Sequence, residues 1–259
     1  MKNKNGNVIG VISIKGGVGK TTTVANLGVS MVRRFNRRTL VIDGNLSAPN
    51  LGFHLGFIDP RITIHDVLSD RVPISQAIHI HDSGLHIIPA NVSGNGVNPL
   101  KLKHTIAPLA KQYDIILLDS SPSFSIEVQA VIEASDELLI ISNLELPTIS
   151  TTLRMIEIAE GLNVPIRGIV LNRVIGKTSK VKIAYLESVF ENSIISVVPE
   201  DLMVRNAIAN RMPVVLYSSK SPASREFEKL SSILLGEEYQ AGLFMELLEG
   251  LMGFLRWRR

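Results

Sequence analysis

The stretch Lys15-Gly-Gly-Val-Gly-Lys-Thr-Thr22 indicates the fold more clearly than any other part of the sequence. It follows the apolar run Val8–Ile14 and precedes a helical pattern that begins near Lys20. A glycine-rich turn between a strand and a helix directs successive backbone N–H groups at one place, and the helix N-terminus adds its partial positive charge. The stretch therefore predicts a phosphate-binding loop.

The side chains of this loop suit a nucleotide and its metal ion. Lys20 can reach β- and γ-phosphate oxygens, and the Thr21 hydroxyl can ligate Mg²⁺. The general phosphate-loop pattern has a glycine five residues before Gly19, where this sequence has Ile14, and a second lysine, Lys15, precedes the double glycine. The candidate phosphate-binding residues are Lys15, Gly16, Gly17, Val18, Gly19, Lys20, Thr21 and Thr22.

Short apolar runs alternate with helical periodicity along the chain, which predicts one α/β domain with a mostly parallel sheet between helices. The predicted strands are Val8–Ile14, Thr39–Asp43, Leu85–Pro89, Ile115–Asp119, Glu137–Ser142, Gly168–Asn172 and Ile194–Val197. The predicted helices are Lys20–Arg33, Ile126–Ala134, Pro147–Gly161, Lys180–Phe190, Val204–Asn210 and Pro222–Leu235. Asp43, Asp119 and Asn172 each end a strand, so we expect them to converge with the loop at the carboxyl edge of the sheet.

Composition narrows the classes of function. The 259 residues carry a net charge of +3, which is too small to indicate nucleic-acid binding by itself. There is no cysteine, which excludes disulfides and iron–sulfur or other thiolate-bound metal centres. The N-terminus is polar and no uninterrupted apolar run reaches about 18 residues, so we expect a cytoplasmic protein.

The loop resembles the deviant Walker A signature, Lys-Gly-Gly-x-Gly-Lys-[Ser/Thr], of the MinD/ParA family of ATPases. The resemblance extends over roughly residues 8–235. Asp43-Gly44-Asn45 is similar to the family's switch I, and Asp114–Asp119 followed by Ser-Ser-Pro122 is similar to Walker B and switch II. Other similar segments are Gly168–Arg173, which resembles the strand that ends in an adenine-binding Asn, and Val197–Asp201, Pro213–Tyr217 and Ser221–Ala223 of the C-terminal signature.

The resemblance implies a P-loop NTPase fold, with ATP and Mg²⁺ as ligands and with Asp119 supporting the metal bound by Thr21. It also implies that Lys15 reaches across an ATP-bound homodimer to the phosphates of the other subunit. The base pocket that it implies consists of Asn172, Arg173, Pro199, Glu200 and Asp201. Glu127 and Glu145 fall where the family has residues that face the dimer partner, although solvated positions fit them nearly as well.

Switch I contains the main departure from the family. Its members usually carry Asp-x-Asp there, and the second Asp orients or activates the attacking water. Here Asn45 stands at that position, and an amide can hold a water but cannot accept its proton. The candidate catalytic residues are Lys15, Lys20, Asp43 and Asn45, and we expect slow hydrolysis with a long-lived ATP dimer. The alternative is that Asn45 has no kinetic consequence.

We divide the chain into an ATPase domain, residues 1–236, and a tail, residues 237–259. Large apolar residues recur at helical spacing in the tail, and arginines surround Trp257 at its end, as in helices that lie on a membrane surface. The predicted membrane-binding residues are Leu243, Phe244, Leu247, Leu248, Leu251, Phe254, Leu255 and Trp257. A last helix packed on the protein or on a partner is the alternative.

Three functions are consistent with the sequence. The tail favours a MinD-like ATPase that cycles between the cytoplasm and the inner face of the cell membrane and positions another cellular structure, with an activating or cargo protein as a further partner. The second is a ParA-like ATPase that binds DNA non-specifically through basic residues such as Arg205, Arg211, Lys220 and Arg225. The third is a non-hydrolysing scaffold whose tail binds a protein.

Overall fold

Eight strands in the described part of the chain form one sheet that holds the nucleotide-binding candidates at one edge. The structure is a computed structural model, and it describes residues 6–91, 96–176, 179–190 and 193–239. The strands are β1 Asn7–Ile12, β2 Thr39–Gly44, β3 His79–Ile80, β4 His86–Ile88, β5 Ile115–Ser120, β6 Glu137–Ser142, β7 Ile166–Val174 and β8 Ile194–Pro199.

Ten α-helices are described around this sheet. They are α1 Lys20–Arg33, α2 Leu51–His54, α3 Ile64–Leu68, α4 Leu102–Ile106, α5 Ile126–Ala134, α6 Leu146–Gly161, α7 Ser179–Val189, α8 Leu202–Ala209, α9 Val214–Tyr217 and α10 Pro222–Leu235. Three short 3₁₀ turns, at Ile74–Ala77, Pro99–Lys101 and Ala107–Lys111, complete the described helical segments.

The strand order is β3-β4-β2-β5-β1-β6-β7-β8, and every described pair is parallel except β3–β4. β1 lies between β5 and β6, so the loop that follows it opens at the middle of the carboxyl edge. The register of β2 and β5 places Asp43 directly beside Asp119. The topology therefore brings the loop and both carboxylates together.

Two hydrophobic cores, one on each face of the sheet, make the fold three-layered. Side chains alternate along β1, so Val8 and Ile12 enter the core beneath α4, α5 and α6, while Ile9 and Val11 enter the core beneath α1 and α10. The central strands are buried on both faces, which explains why they are continuous apolar runs in the sequence.

The predicted fold class is confirmed, and most predicted elements are present with shifted ends. β1 ends at Ile12 instead of Ile14, because Ser13 and Ile14 already belong to the phosphate loop. β7 and β8 extend beyond the predicted segments, to Val174 and Pro199. The antiparallel strand β3 and the short helices α2, α3, α4 and α9 were not predicted, since segments of two to five residues carry too little periodicity.

Candidate nucleotide site

The phosphate loop joins β1 to α1 and has two glycines in the left-handed region, Gly17 with φ 77° and Gly19 with φ 99°. A side chain is strained at such angles. Gly19 is restricted a second time, because a Cβ there would overlap the side-chain amide of Asn172. That amide donates from Nδ2 to the carbonyl oxygen of Val18 at 2.7 Å. Asn172, near the carboxyl end of β7, therefore contacts the loop directly.

The N-terminus of α1 is open for an anion. Its N-cap is Gly19, no side chain caps the helix, and its first turn contains no acidic residue. The first N–H groups of a helix have no partner within the helix, and they carry part of the positive end of its dipole. Lys20 is buried with its Nζ atom 3.5 Å from the carbonyl oxygen of Lys15, so its ammonium lies over the loop. Burial lowers the pKa of Lys20, and the charge of Asp119 opposes that shift.

Thr21 and Asp119 fit a magnesium ion. The Thr21 hydroxyl donates to Asp119 Oδ2 at 2.6 Å, while the buried Oδ1 atom has no hydrogen-bond partner among the described residues. An unsatisfied carboxylate oxygen next to a hydroxyl, at the open end of a helix, suits a hard cation that keeps several waters and phosphate ligands. No group of three or more His, Cys, Asp or Glu side chains that could hold a metal ion occurs in the described ranges.

Asp43 is wholly buried and holds the start of switch I in place. Its carboxylate accepts hydrogen bonds from the backbone N–H groups of Asn45, Asn50 and Leu51, at 3.0 to 3.1 Å. Burial, and then the charge of Asp119, raises the pKa of Asp43 to about 8. Burial also raises the pKa of Asp119 to about 6, against the effects of the Thr21 hydroxyl and the Lys20 charge. The free site thus contains two carboxylates and one ammonium in a desolvated space.

Asn45 is folded into its own loop. Its Nδ2 atom donates to the carbonyl oxygen of Ala48 at 2.5 Å, and its Oδ1 atom accepts from the Ala48 N–H at 3.3 Å. An amide can make both bonds at once, whereas a carboxylate could make only the second. Asn45 therefore closes a turn that would lose one of these two side-chain hydrogen bonds with an Asp at this position.

The candidate base-binding residues line a pocket of about 290 Å³ next to the loop. Asn172, Arg173, Pro199, Glu200 and Asp201 all contribute to its walls, together with Gly17, Gly19 and Thr22 of the loop. The strands β7 and β8 position these residues, since Asn172 and Pro199 lie at their carboxyl ends. The pocket is continuous with the phosphate loop, as a nucleotide requires.

Charged and capping contacts shape this pocket. Glu200 accepts hydrogen bonds from Arg173 at 2.9 Å and from Arg205 at 2.6 Å, and Arg173 also donates to the Gly17 carbonyl oxygen at 3.2 Å. The carboxylate of Asp201 caps α8 through the Met203 N–H and also accepts from the Ala223 N–H, at 2.9 and 3.1 Å. Its side chain is therefore engaged in joining α8 to α10.

Lys15 lies at the surface instead of inside the loop that Lys20 occupies. It forms an ion pair with Glu145, and both side chains are partly exposed. Three large apolar side chains at the same edge are also exposed: Phe124 by 55%, Ile126 by 52% and Leu146 by 81%. The edge that carries Lys15 is thus an apolar surface with a central charge pair.

Glu127 does not lie on the surface. It is buried in the first turn of α5, where its carboxylate accepts a hydrogen bond from Ser47 of switch I, and its Oε2 atom has no partner in the described residues. Sequence reasoning missed the contact of Ser47 with Glu127, and it named Arg205 as a basic residue for DNA without its contact to Glu200. Glu200 lies before α8 and Arg205 lies on it, so no helical spacing indicated this pair.

The predicted membrane-binding residues of the tail lie outside the described residues. Among the helices that are described, none is long and apolar enough to cross a membrane. The last described segment leaves α10 at Gly236, which has the left-handed φ of 67° that commonly ends a helix.

The fold and the site define a phosphate-loop ATPase with a second lysine at the start of its loop. Residues 6–163 match the sequence profile of the AAA domain. An uncharacterized ATP-binding protein of Methanocaldococcus jannaschii is 31% identical over 255 residues, 95% of this chain and 96% of that protein. The septum site-determining protein MinD of Thermotoga maritima is 29% identical over 244 residues, 90% of this chain and 89% of that protein.

The solved structure of the septum site-determining protein MinD from Pyrococcus horikoshii, complexed with Mg-ADP, aligns with a TM-score of 0.82 at 28% identity. The alignment covers 88% of this chain and 95% of that structure. The chain therefore belongs to the MinD/ParA family of deviant Walker A ATPases.

Replacing Asp119 with Asn should change how the stability of the nucleotide-free protein depends on pH. A buried carboxyl with a raised pKa binds its proton more tightly in the folded state, so its ionisation destabilises the fold as pH rises from about 4 to above 6. Asp119→Asn removes this penalty. Its free energy of unfolding relative to the unsubstituted chain should rise between pH 4 and pH 8 by on the order of 2 kcal/mol, measured by urea denaturation without Mg²⁺.

Asp114→Asn is the control with the opposite sign. The side-chain hydrogen bond from Arg38 lowers the pKa of Asp114, so this variant should lose stability relative to the unsubstituted chain as pH rises to about 4, with no further change at higher pH. If the free energies of unfolding of Asp119→Asn and of the unsubstituted chain changed with pH in parallel, burial would not raise the pKa of Asp119.

Proposed function

We propose that this protein is an ATP-driven molecular switch of the cell division or partitioning type, which dimerises around ATP and acts at a membrane surface through its tail. ATP and Mg²⁺ are the ligands of the site. The observation that carries the proposal is the position of Lys15, which lies on the apolar edge of the subunit while Lys20 alone occupies its own phosphate loop.

The surface around Lys15 supports a face-to-face homodimer. Exposed Leu146 follows the Glu145 that pairs with Lys15, and exposed Phe124 follows Ser123, whose N–H donates to the Ile14 carbonyl oxygen. Exposed apolar side chains of this kind favour association. A two-fold axis through this edge would bring the two phosphate loops towards each other, so that each Lys15 faces the other subunit's site. In the free subunit Lys15 pairs with Glu145, and an ion pair this exposed to water is weak, so phosphate can replace it.

Phosphoryl transfer depends mostly on positioning and on neutralising charge. Bound ATP supplies the transferable phosphoryl group, and Mg²⁺ neutralises charge on its oxygens. Lys20 and the uncapped N–H groups of α1 hold the phosphates, while Thr21 and Asp119 hold the metal. Asn172 and the pocket beside it receive the base. Each of these roles uses a group that already lies at the carboxyl edge of the sheet.

We also propose that this protein hydrolyses ATP slowly. Asn45 cannot take a proton from water, and both ends of its amide are bound to the Ala48 backbone. Asp43 cannot easily replace it, because its carboxylate is wholly buried and accepts three backbone hydrogen bonds. Slow hydrolysis gives a long-lived dimer that a protein activator would have to reopen.

The dimer gives the tail its effect at the membrane. A single amphipathic helix binds a lipid surface weakly, whereas two helices held together bind with avidity, since the second binding step is intramolecular. DNA binding is the second candidate and has less support. Of the four basic residues proposed for DNA binding, Arg205 forms an ion pair with Glu200. Arg211 lines a cleft together with Phe57 and Ile80.

Replacing Lys15 with Ala should abolish ATP-dependent dimerisation without abolishing ATP binding, because Lys20 and the loop amides remain. The mass in solution, measured by light scattering with ATP and Mg²⁺, should stay that of a monomer. Leu146→Asp should give the same result by placing a charge in the apolar face. Lys103→Ala, at an exposed lysine on α4, is the matched control and should dimerise normally. A Lys15→Ala dimer of unchanged affinity contradicts the proposal.

Sedimentation with anionic liposomes tests the membrane role. The full chain should pellet with ATP and remain in solution with ADP, and a chain ending at Gly236 should not pellet with either nucleotide. Full-length Lys15→Ala should also fail to pellet, because it has the tail without the dimer. Equal pelleting of this variant would separate lipid binding from dimerisation. DNA binding that weakens steeply with salt, without any pelleting, would favour the partitioning alternative.

Replacing Asn45 with Asp should raise the rate of ATP hydrolysis at saturating ATP by about tenfold or more, because a general base contributes about 100-fold or more when well placed. Asn50→Asp is the matched control: Asn50 also donates to the Ala48 carbonyl oxygen, at 2.8 Å, so it loosens the same turn without a carboxylate at position 45. A rate for Asn45→Asp equal to that of the unsubstituted chain would assign slow turnover to another cause.

A further inference from the structure

His54 is a half-buried histidine of α2 that lies against the first turn of α1. Its Nδ1 atom is 3.0 Å from the carbonyl oxygen of Asn50, and its Nε2 atom is 3.3 Å from the hydroxyl oxygen of Thr22. A carbonyl oxygen can only accept, so the hydrogen of the neutral imidazole is on Nδ1. Nε2 therefore accepts, and the Thr22 hydroxyl donates its hydrogen to His54.

Thr22 lies where a bound phosphate needs the same hydrogen. It is the third residue of α1, in the uncapped turn at the phosphate loop, and it lines the base pocket. Phosphate oxygens accept hydrogen bonds, and a threonine hydroxyl has one hydrogen to donate. When that hydrogen turns to a phosphate oxygen, Nε2 and the Thr22 oxygen face each other as two acceptors. A proton on Nε2 restores a hydrogen bond between them.

The surroundings keep His54 neutral in the nucleotide-free protein. Burial lowers the pKa of His54, and its hydrogen bond to Asn50 opposes that shift. The charged side chains on the segments packed against α2 and the residues after it are Lys20 and Arg33 of α1, Asp43 of β2 and Arg211. None of these four contributes to the shift. The negative charge of bound phosphate favours the protonated imidazole.

We propose that His54 takes up a proton when a nucleotide binds, so that Thr22 donates to a phosphate oxygen while Nε2 donates to Thr22. The proton comes from the solvent and returns to it when the nucleotide leaves, and no covalent bond to carbon or phosphorus changes. His54 acts through Thr22, which makes it a positioning residue. The inference rests on the proposed role of Thr22 as a ligand of phosphate.

The protonated imidazole also connects the nucleotide to switch I. Asp43 accepts hydrogen bonds from the backbone N–H groups of Asn50 and Leu51, which fixes the start of α2 to the switch. A charged imidazole donates more strongly to both the Asn50 carbonyl oxygen and Thr22. Because the bound state holds more protons than the free state, the affinity for nucleotide should rise as pH falls.

Isothermal titration calorimetry with MgADP measures this proton. At about pH 7 the titration is repeated in buffers of different ionisation enthalpy, and the dependence of the observed heat on that enthalpy gives the protons taken up. The unsubstituted chain should take up more protons than His54→Gln, by up to about one per nucleotide, because glutamine donates to Thr22 without a charge. Asp43 and Asp119 are present in both proteins, so their own titration cancels in the difference.

His86→Gln is the matched control. Burial also lowers the pKa of His86, but this residue contacts Tyr113 at the start of β4, at the opposite edge of the sheet. Its proton count should equal that of the unsubstituted chain. Thr22→Val, which lacks the hydroxyl, should lose the uptake although His54 remains.

Equal proton counts for the unsubstituted chain and His54→Gln, or an uptake that persists in Thr22→Val, would overturn the proposal. The affinity for MgADP provides a second readout: the ratio of the unsubstituted chain to His54→Gln should grow by up to about tenfold for each unit by which the pH falls. A ratio that does not change with pH would also overturn it. Absence of MgADP binding to the unsubstituted chain would contradict the nucleotide site itself, and this inference with it.

Discussion

The pairing of β2 with β5 places two carboxylates, Asp43 and Asp119, side by side in a space without water. Like charges at this depth are costly, and the nearby groups reduce the cost without removing it. Three backbone N–H groups donate hydrogen bonds to Asp43. Asp119 accepts a hydrogen bond from the Thr21 hydroxyl, and the charge of Lys20 stabilises its ionised form. One carboxylate oxygen still has no partner among the described residues. Burial raises the pKa of both carboxyl groups, and a divalent cation with its phosphate ligands would stabilise their ionised forms.

Two further surface features lie around this centre. The edge that carries Lys15 is apolar and faces outwards beside the phosphate loop. The cleft near Ile80 lies between α2, β3 and α9 and has no residue in common with the base pocket.

The sequence was sufficient to predict the fold class and the convergence at the carboxyl edge, because long apolar strands and a glycine-rich loop have strong local signals. Asp119 and Asn172 lie near the carboxyl ends of such strands and contact the loop, and Asp43 lies beside Asp119. The rest depends on tertiary contacts that have no local pattern. Neither the burial of Glu127 under Ser47 nor the turn that Asn45 closes with Ala48 could be read from spacing, and β3 is only two residues long.

Helix α1 runs from the phosphate loop to the end of the described chain. Its first residue is Lys20, at the phosphate loop, and its C-cap is Arg34, which contacts the last described residue, Tyr239. Its 14 residues form a rod about 20 Å long that packs on the sheet and on α10. A rotation of about 3° about the loop would displace the far end of such a rod by about 1 Å. Helix α1 thus links the phosphate loop directly to the point where the described chain ends.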